Sequence, residues 1–160
     1  MKRRATHPGC IICFTLILTF GGCAGWFRQS TTPTTAYKPV HQHALGGEVP
    51  GLDESIRRNP AALNLGDANG NTPLMLAVFH GHLGAVRFLL GKGALVDKTN
   101  DQHQTALILA AKAGHGDVVM LLLRAKANVS IRDARGWNAQ MWAGKQGYPD
   151  VAAAIKSASR

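Results

Sequence analysis

Cysteine and histidine offer the most chemistry in this chain, and their positions limit what they can do. Cys10, Cys13 and Cys23 are the three cysteines, so the residues after Cys23 can hold neither an internal disulfide nor a thiolate zinc site. Cys10 and Cys13 have the spacing of a redox pair, but they lie in an apolar run from Cys10 to Phe20 without the strand and helix pattern such a pair needs. His80, His82, His103 and His115, with Asp101 and Asp117, are the remaining acid–base candidates. No glycine-rich phosphate loop, nucleophile elbow or HExxH accompanies them, so the chain reads as a non-enzyme without a cofactor. A metal- or small-molecule-binding envelope stress protein is the second reading of function. It would rest on His41, His43 and His80.

Cys23 has a different setting. Lys2, Arg3 and Arg4 precede the apolar run, and Gly21, Gly22, Cys23, Ala24 and Gly25 follow it, which is the basic, apolar, small order of an export signal. The run is shorter than the roughly 20 residues a helix needs to cross a bilayer, so cleavage is expected over a retained span. The end of the run resembles a bacterial lipoprotein signal, with Gly21 and Gly22 ahead of the cysteine and Phe20 where leucine is usual. That resemblance implies a lipid on the Cys23 thiol, cleavage just before it and, with Ala24 next, outer-membrane sorting. The alternatives are a signal cleaved without lipidation and a retained anchor. The expected division is a signal peptide at 1–22, a flexible tether at 23–47 rich in Thr, Pro and Gly, and a folded domain at 48–160.

Charge narrows the partner. Lys and Arg number 18 against 9 Asp and Glu, and 15 against 9 from Cys23 onward, scattered without a run of five or six. A nucleic-acid footprint wants basic residues clustered on one face, so no nucleic-acid partner is expected.

The elements that must position any site follow from an internal repeat. Thr72, Thr105 and Asn138 are successive steps of 33, as are Ala77, Ala110 and Ala143; Gly81, Gly114 and Gly147; and Leu89, Leu122 and Ile155. Within a unit, Thr72 caps a helix that Pro73 opens, and Leu74, Ala77 and Val78 give it an apolar stripe. Gly81 stops it, and Val86, Leu89 and Leu90 recur at the spacing of a second helix. Pro149 and Asp150 suit the opening of that second helix in the third unit.

The motif Asp67-Ala68-Asn69-Gly70-Asn71-Thr72-Pro73-Leu74 with Ala77, Gly81-His82, Val86, Leu89-Leu90 and Gly93-Ala94 resembles the ankyrin repeat. Met75, Ile108 and Met141 replace its usual histidine, and His103 replaces a turn glycine. The expected fold is all-α, an ankyrin-repeat solenoid of about three repeats. An N-terminal half repeat precedes them, in which Leu52 and Ile56 sit four apart but Asp53 falls where Val86 lies. Gln140 and Lys156 replace leucines of the earlier units, as suits a terminal unit facing water.

The resemblance also implies a concave face of turn tips and first helices that binds a protein. Its residues here are Asn69, Asn71, Phe79 and His80; Asp101, Gln102, Gln104 and Lys112; and Arg135, Trp137, Lys145 and Gln146. Phe79 and Trp137 are the expected anchors, since large aromatics carry much of the energy at interfaces. Trp142, in the register of Leu76 and Leu109, is expected in the core. The leading expectation is a non-catalytic, monomeric, envelope-located module, membrane-anchored through Cys23, that holds a partner protein.

Overall fold

The computed structural model describes residues 40–159. The expected signal peptide, Cys23 and the first part of the expected tether lie outside them. Among the described residues are eight α-helices and no strand: α1 (Val40–Gly46), α2 (Val49–Arg58), α3 (Pro73–Phe79), α4 (Leu83–Gly91), α5 (Ala106–Ala113), α6 (Gly116–Arg124), α7 (Ala139–Gln146) and α8 (Pro149–Ala158). A 3-10 helix, Pro60–Asn64, follows α2. No helix among the described residues is long and apolar enough to cross a membrane.

Each first helix starts where the repeat places a cap. The Met75 N–H donates to Thr72 Oγ1 and the Ile108 N–H to Thr105 Oγ1, both at 3.3 Å; the Met141 N–H donates to Asn138 Oδ1 at 2.9 Å. These caps satisfy donors that a helix leaves open at its start. Helices this short do not hold alone in water, so packing must supply the stability. α3, α5 and α7 lie side by side in one layer, and α4, α6 and α8 in a second. Ala77, Ala110 and Ala143 are fully buried in the first layer, where their small side chains let helices approach closely. Val86, Leu89, Val119, Leu122 and Ile155 fill the second with bulkier groups. The stack is one continuous core.

Ties between units recur with the same period. The His82 ring bonds through Nε2 to the Leu45 carbonyl at 2.8 Å, and the His115 ring to the Phe79 carbonyl at 3.1 Å. Gly81 (φ 70°) and Gly114 (φ 74°) turn the chain in the left-handed region, and each also makes room for a ring of the following unit. A Cβ on Gly81 would stand 2.9 Å from the His115 ring, and one on Gly114 2.5 Å from the Tyr148 ring. Glycine is therefore required there twice over, by backbone angle and by the neighbouring unit.

The N-terminal end departs from the sequence expectation. Residues 40–46, assigned above to the tether, form α1, which pairs with α2 and lies against α3. Val40 and Ala44, four apart, are both buried there and give the segment a core to join. The half repeat thus has its first helix. Its register is also shifted by one. The Glu48 N–H donates to the His43 carbonyl as those of His82, His115 and Tyr148 donate to Ala77, Ala110 and Ala143, so His43 occupies the alanine place, 34 residues ahead of Ala77. Leu52, fully buried, then takes the place of Val86, and Asp53 turns outward to Arg57 and Lys92. Gly51 accommodates the exchange, since a Cβ there would overlap the His43 ring.

At the far end Met141 is 47% exposed, where Met75 and Ile108 are 1%. The face that would meet a further unit instead carries Gln140 and the exposed Lys156.

Candidate binding groove

The groove begins with three carboxylate or amide side chains at one place in each unit. Asp67 Oδ1 accepts the N–H groups of Asn69 and Asn71, Asn100 Oδ1 those of Gln102 and Gln104, and Asp133 Oδ1 those of Arg135 and Trp137, all at 2.8–3.0 Å. Each bond pair folds a tight turn that projects the residues between. The tips are linked to one another, the Asp101 N–H donating to the Asn69 carbonyl at 3.2 Å and the Ala134 N–H to the Gln102 carbonyl at 3.0 Å. Asn69, Asp101, Gln102 and Arg135 are exposed on those tips.

Two troughs run between the tips and the first helices. One, of about 330 Å³, is lined by Asn71, Met75, Leu76, Phe79, His80 and Leu109 among others. The second, of about 260 Å³, is lined by Asp133, Ala134, Arg135 and Trp142. Gln102, Gln104 and Lys112 line both, so the troughs join. Phe79 is 50% exposed at the end of α3, with the His80 ring edge-on to it at 5.2 Å. Met75, Leu76, Phe79 and Leu109 give this half of the groove its apolar surface, edged by polar side chains.

The other half is aromatic and cationic. Trp142 is 5% exposed, as its core register predicts, yet its indole forms the floor of the second trough. Trp137, half-buried, lies against it at 5.2 Å. Above Trp142 stand Lys112 Nζ at 4.7 Å, Lys145 Nζ at 5.2 Å and the Arg135 guanidinium at 5.9 Å from the ring centre; Lys145 is also 4.6 Å from that of Trp137. At the ring edge, the indole N–H donates to Asp133 Oδ2 at 2.7 Å. Burial pushes the Asp133 carboxyl up, but bonds from the Trp137 N–H, the Trp142 indole, the Arg135 N–H and the Gln104 side chain outweigh it and hold its pKa below the ordinary value. Asp133 is therefore a fixed negative acceptor at the indole edge.

Most expected contact residues do converge on this groove, and two do other work as well. Gln104 is buried and bonds Asp133 of the next unit. Asn71 is half-buried, accepting from Asn100 Nδ2 at 2.9 Å and donating to Asp67 Oδ2 at 3.3 Å. Both are ties between or within units, because their amides meet the polar turn residue rather than open solvent. Gln146 is exposed at the end of α7. Met75, Leu76, Asn100 and Leu109 also line the groove without having been expected as contacts, and so do Asp133 and Trp142. The signal for the last two was present, since an indole in a leucine register needs an acceptor and Asp133 lies nine residues before it.

The histidines invoked for metal binding are placed apart from one another's chemistry. The His41 ring bonds the Leu65 carbonyl through Nε2 at 2.9 Å, and His43 Nδ1 meets Glu48 at 2.8 Å. No group of three or more His, Cys, Asp or Glu side chains suited to a metal occurs among the described residues.

Known proteins share this architecture. A family model for ankyrin repeats in three copies matches residues 92–158, and a single ankyrin-repeat model matches 69–101. The transient receptor potential cation channel subfamily A member 1 homolog of Caenorhabditis elegans is 38% identical over 66 residues, 41% of this chain and 6% of that protein. Ankyrin repeat protein nuc-2 of Neurospora crassa is 28% identical over 100 residues, 62% of this chain and 9% of that protein. The chain thus spans less than a tenth of either relative, and the likeness concerns the repeats. Across residues 69–158, with its turn tips, helix pairs and concave groove, this chain belongs to the ankyrin-repeat family.

Proposed function

We propose that this chain is a non-catalytic module that holds a partner protein in its concave groove, presented from the bacterial cell envelope. Ankyrin repeats typically mediate protein–protein interaction, and the observation that carries the reading here is the half-exposed Phe79 at one end of a groove with Trp137 and Trp142 at the other. A solvent-exposed aromatic gains by being covered, and anchors of this kind dominate many interfaces. The described residues offer no assembled nucleophile, base and pocket in competition.

Partner capture from an envelope extract tests the reading. Phe79→Ala combined with Trp137→Ala should abolish capture of the partner while the fold is retained; full capture by the double variant would refute the groove. Location rests on the basic, apolar, small order ahead of Cys23. Intact mass of membrane-fraction protein should show a diacylglycerol-modified and acylated chain starting at Cys23, and Cys23→Ser should release the chain or block its processing. A mass without lipid would remove the anchor from the proposal.

A further inference from the structure

We infer that the partner segment is acidic: an extended stretch of protein that places an apolar side chain beside Phe79 and carboxylates among Lys112, Arg135 and Lys145. The inference rests on the groove being the partner face and adds the partner's chemistry.

Three cations stand within 6 Å of one indole ring, Lys112 at 4.7 Å, Lys145 at 5.2 Å and Arg135 at 5.9 Å. They come from three places, α5, α7 and the third turn tip, and converge on one spot. No ion pair among the described residues involves any of them. The Asp133 carboxylate, at the edge of the ring, is already engaged by the indole and by backbone N–H groups. Like charges held together repel, and the ring's negative face offsets only part of that cost. An incoming carboxylate would relieve the repulsion.

The register sharpens the point. Phe79, Lys112 and Lys145 occupy the same place in successive units, 33 residues apart, so one row of the groove changes from apolar to cationic along its length. Neighbouring helices pack about 8–10 Å apart, which puts the cation cluster one to two such steps, about 8–20 Å, from Phe79. An extended chain covers that in about three to six residues. The apolar trough and the single basic cluster favour such a segment over a polyphosphate chain, which would want cations along the whole groove.

Panning a displayed random decapeptide library on the full chain tests this. Enriched peptides should carry Asp or Glu three to six residues from a large apolar side chain. Their affinity should fall about ten- to thirtyfold in the triple variant Lys112→Gln, Arg135→Gln, Lys145→Gln, and should also fall with added salt. Circular dichroism melts would establish that the variant is folded. Neutral or basic peptides that lose affinity with Phe79→Ala but not with the triple variant would overturn the acidic segment and leave the groove standing. Peptides indifferent to both variants would overturn both, and so would no enrichment above background. A single-stranded oligonucleotide binding as tightly as the enriched peptides would replace the acidic segment with nucleic acid and also refute the inference.

Discussion

The second and third units share one backbone and differ in what they put on it. Where the second has Asn100, Gln104 and Leu109, the third has Asp133, Trp137 and Trp142. Asn100 and Asp133 fold the same turn through the same two N–H bonds. Leu109 asks nothing further of Asn100, whose amide is free to donate to Asn71. Trp142 brings an indole N–H that must be satisfied, and a carboxylate can accept it where an amide nitrogen cannot. The frame of the repeat thus tolerates exchange at its groove, provided each new donor meets an acceptor, and the face can diverge while the core stays periodic.

The largest test concerns the frame common to both units. Leu122 is fully buried between the second and third. Leu122→Ala should cost about 2–5 kcal/mol in denaturant unfolding, and an unchanged midpoint would break the assigned register. A smaller effect belongs to the difference between the units. Asp133→Asn keeps an oxygen for the turn but sets an amide donor against the indole N–H or leaves that N–H unpaired, which should cost about 1–3 kcal/mol. Adding Trp142→Leu, which makes the third unit resemble the second, should recover part of that loss. A double variant whose loss equals the sum of the two single losses would deny that the pair is coupled.

Acid should affect the same place. Burial pushes the Asp67 and Asp133 carboxyls up, and the bonds donated to them more than reverse this, so both pKa values lie below the ordinary range. The unfolded chain then binds protons more readily than the folded one. Stability contributed by these groups is present above the ordinary carboxylate value of about 3.9 and is lost as pH falls through the lower native values. Thermal melts should be level near neutrality and decline below about pH 5, and the decline should be shallower in Asp133→Asn with Trp142→Leu. The smallest effect is expected at His103, which has φ 56° where Gly70 and Gly136 have 74° and 79°. His103→Gly relieves about 1–2 kcal/mol of left-handed strain and adds chain entropy to the unfolded state, so a net stabilisation under about 1 kcal/mol should appear in the melting temperature.

Much of the fold was legible because its physics is local and repeated. Thr72, Thr105 and Asn138 as caps and Ala77, Ala110 and Ala143 as close-approach points are readable from one unit and confirmed by the next. α1 was not legible, since seven residues with only Val40 and Ala44 apolar toward the core carry little periodic signal. The exchange of His43 with Gly51 hid the register further, because it depends on a contact between two helices. In the groove, Phe79 and Trp137 were expected from the ankyrin resemblance, which assigns their positions to the concave face. The gathering of Lys112, Arg135 and Lys145 on Trp142 was not, as it requires knowing how the third tip lies over α5 and α7.

Amide hydrogen exchange of the chain, alone and with its captured partner, tests the central claim most directly. The account predicts added protection on the partner-facing row, at the ends of α3, α5 and α7 and at the tips around Asp101 and Arg135, with α4, α6 and α8 unchanged. Protection confined to α4, α6 and α8 would place the partner on the opposite layer and contradict it.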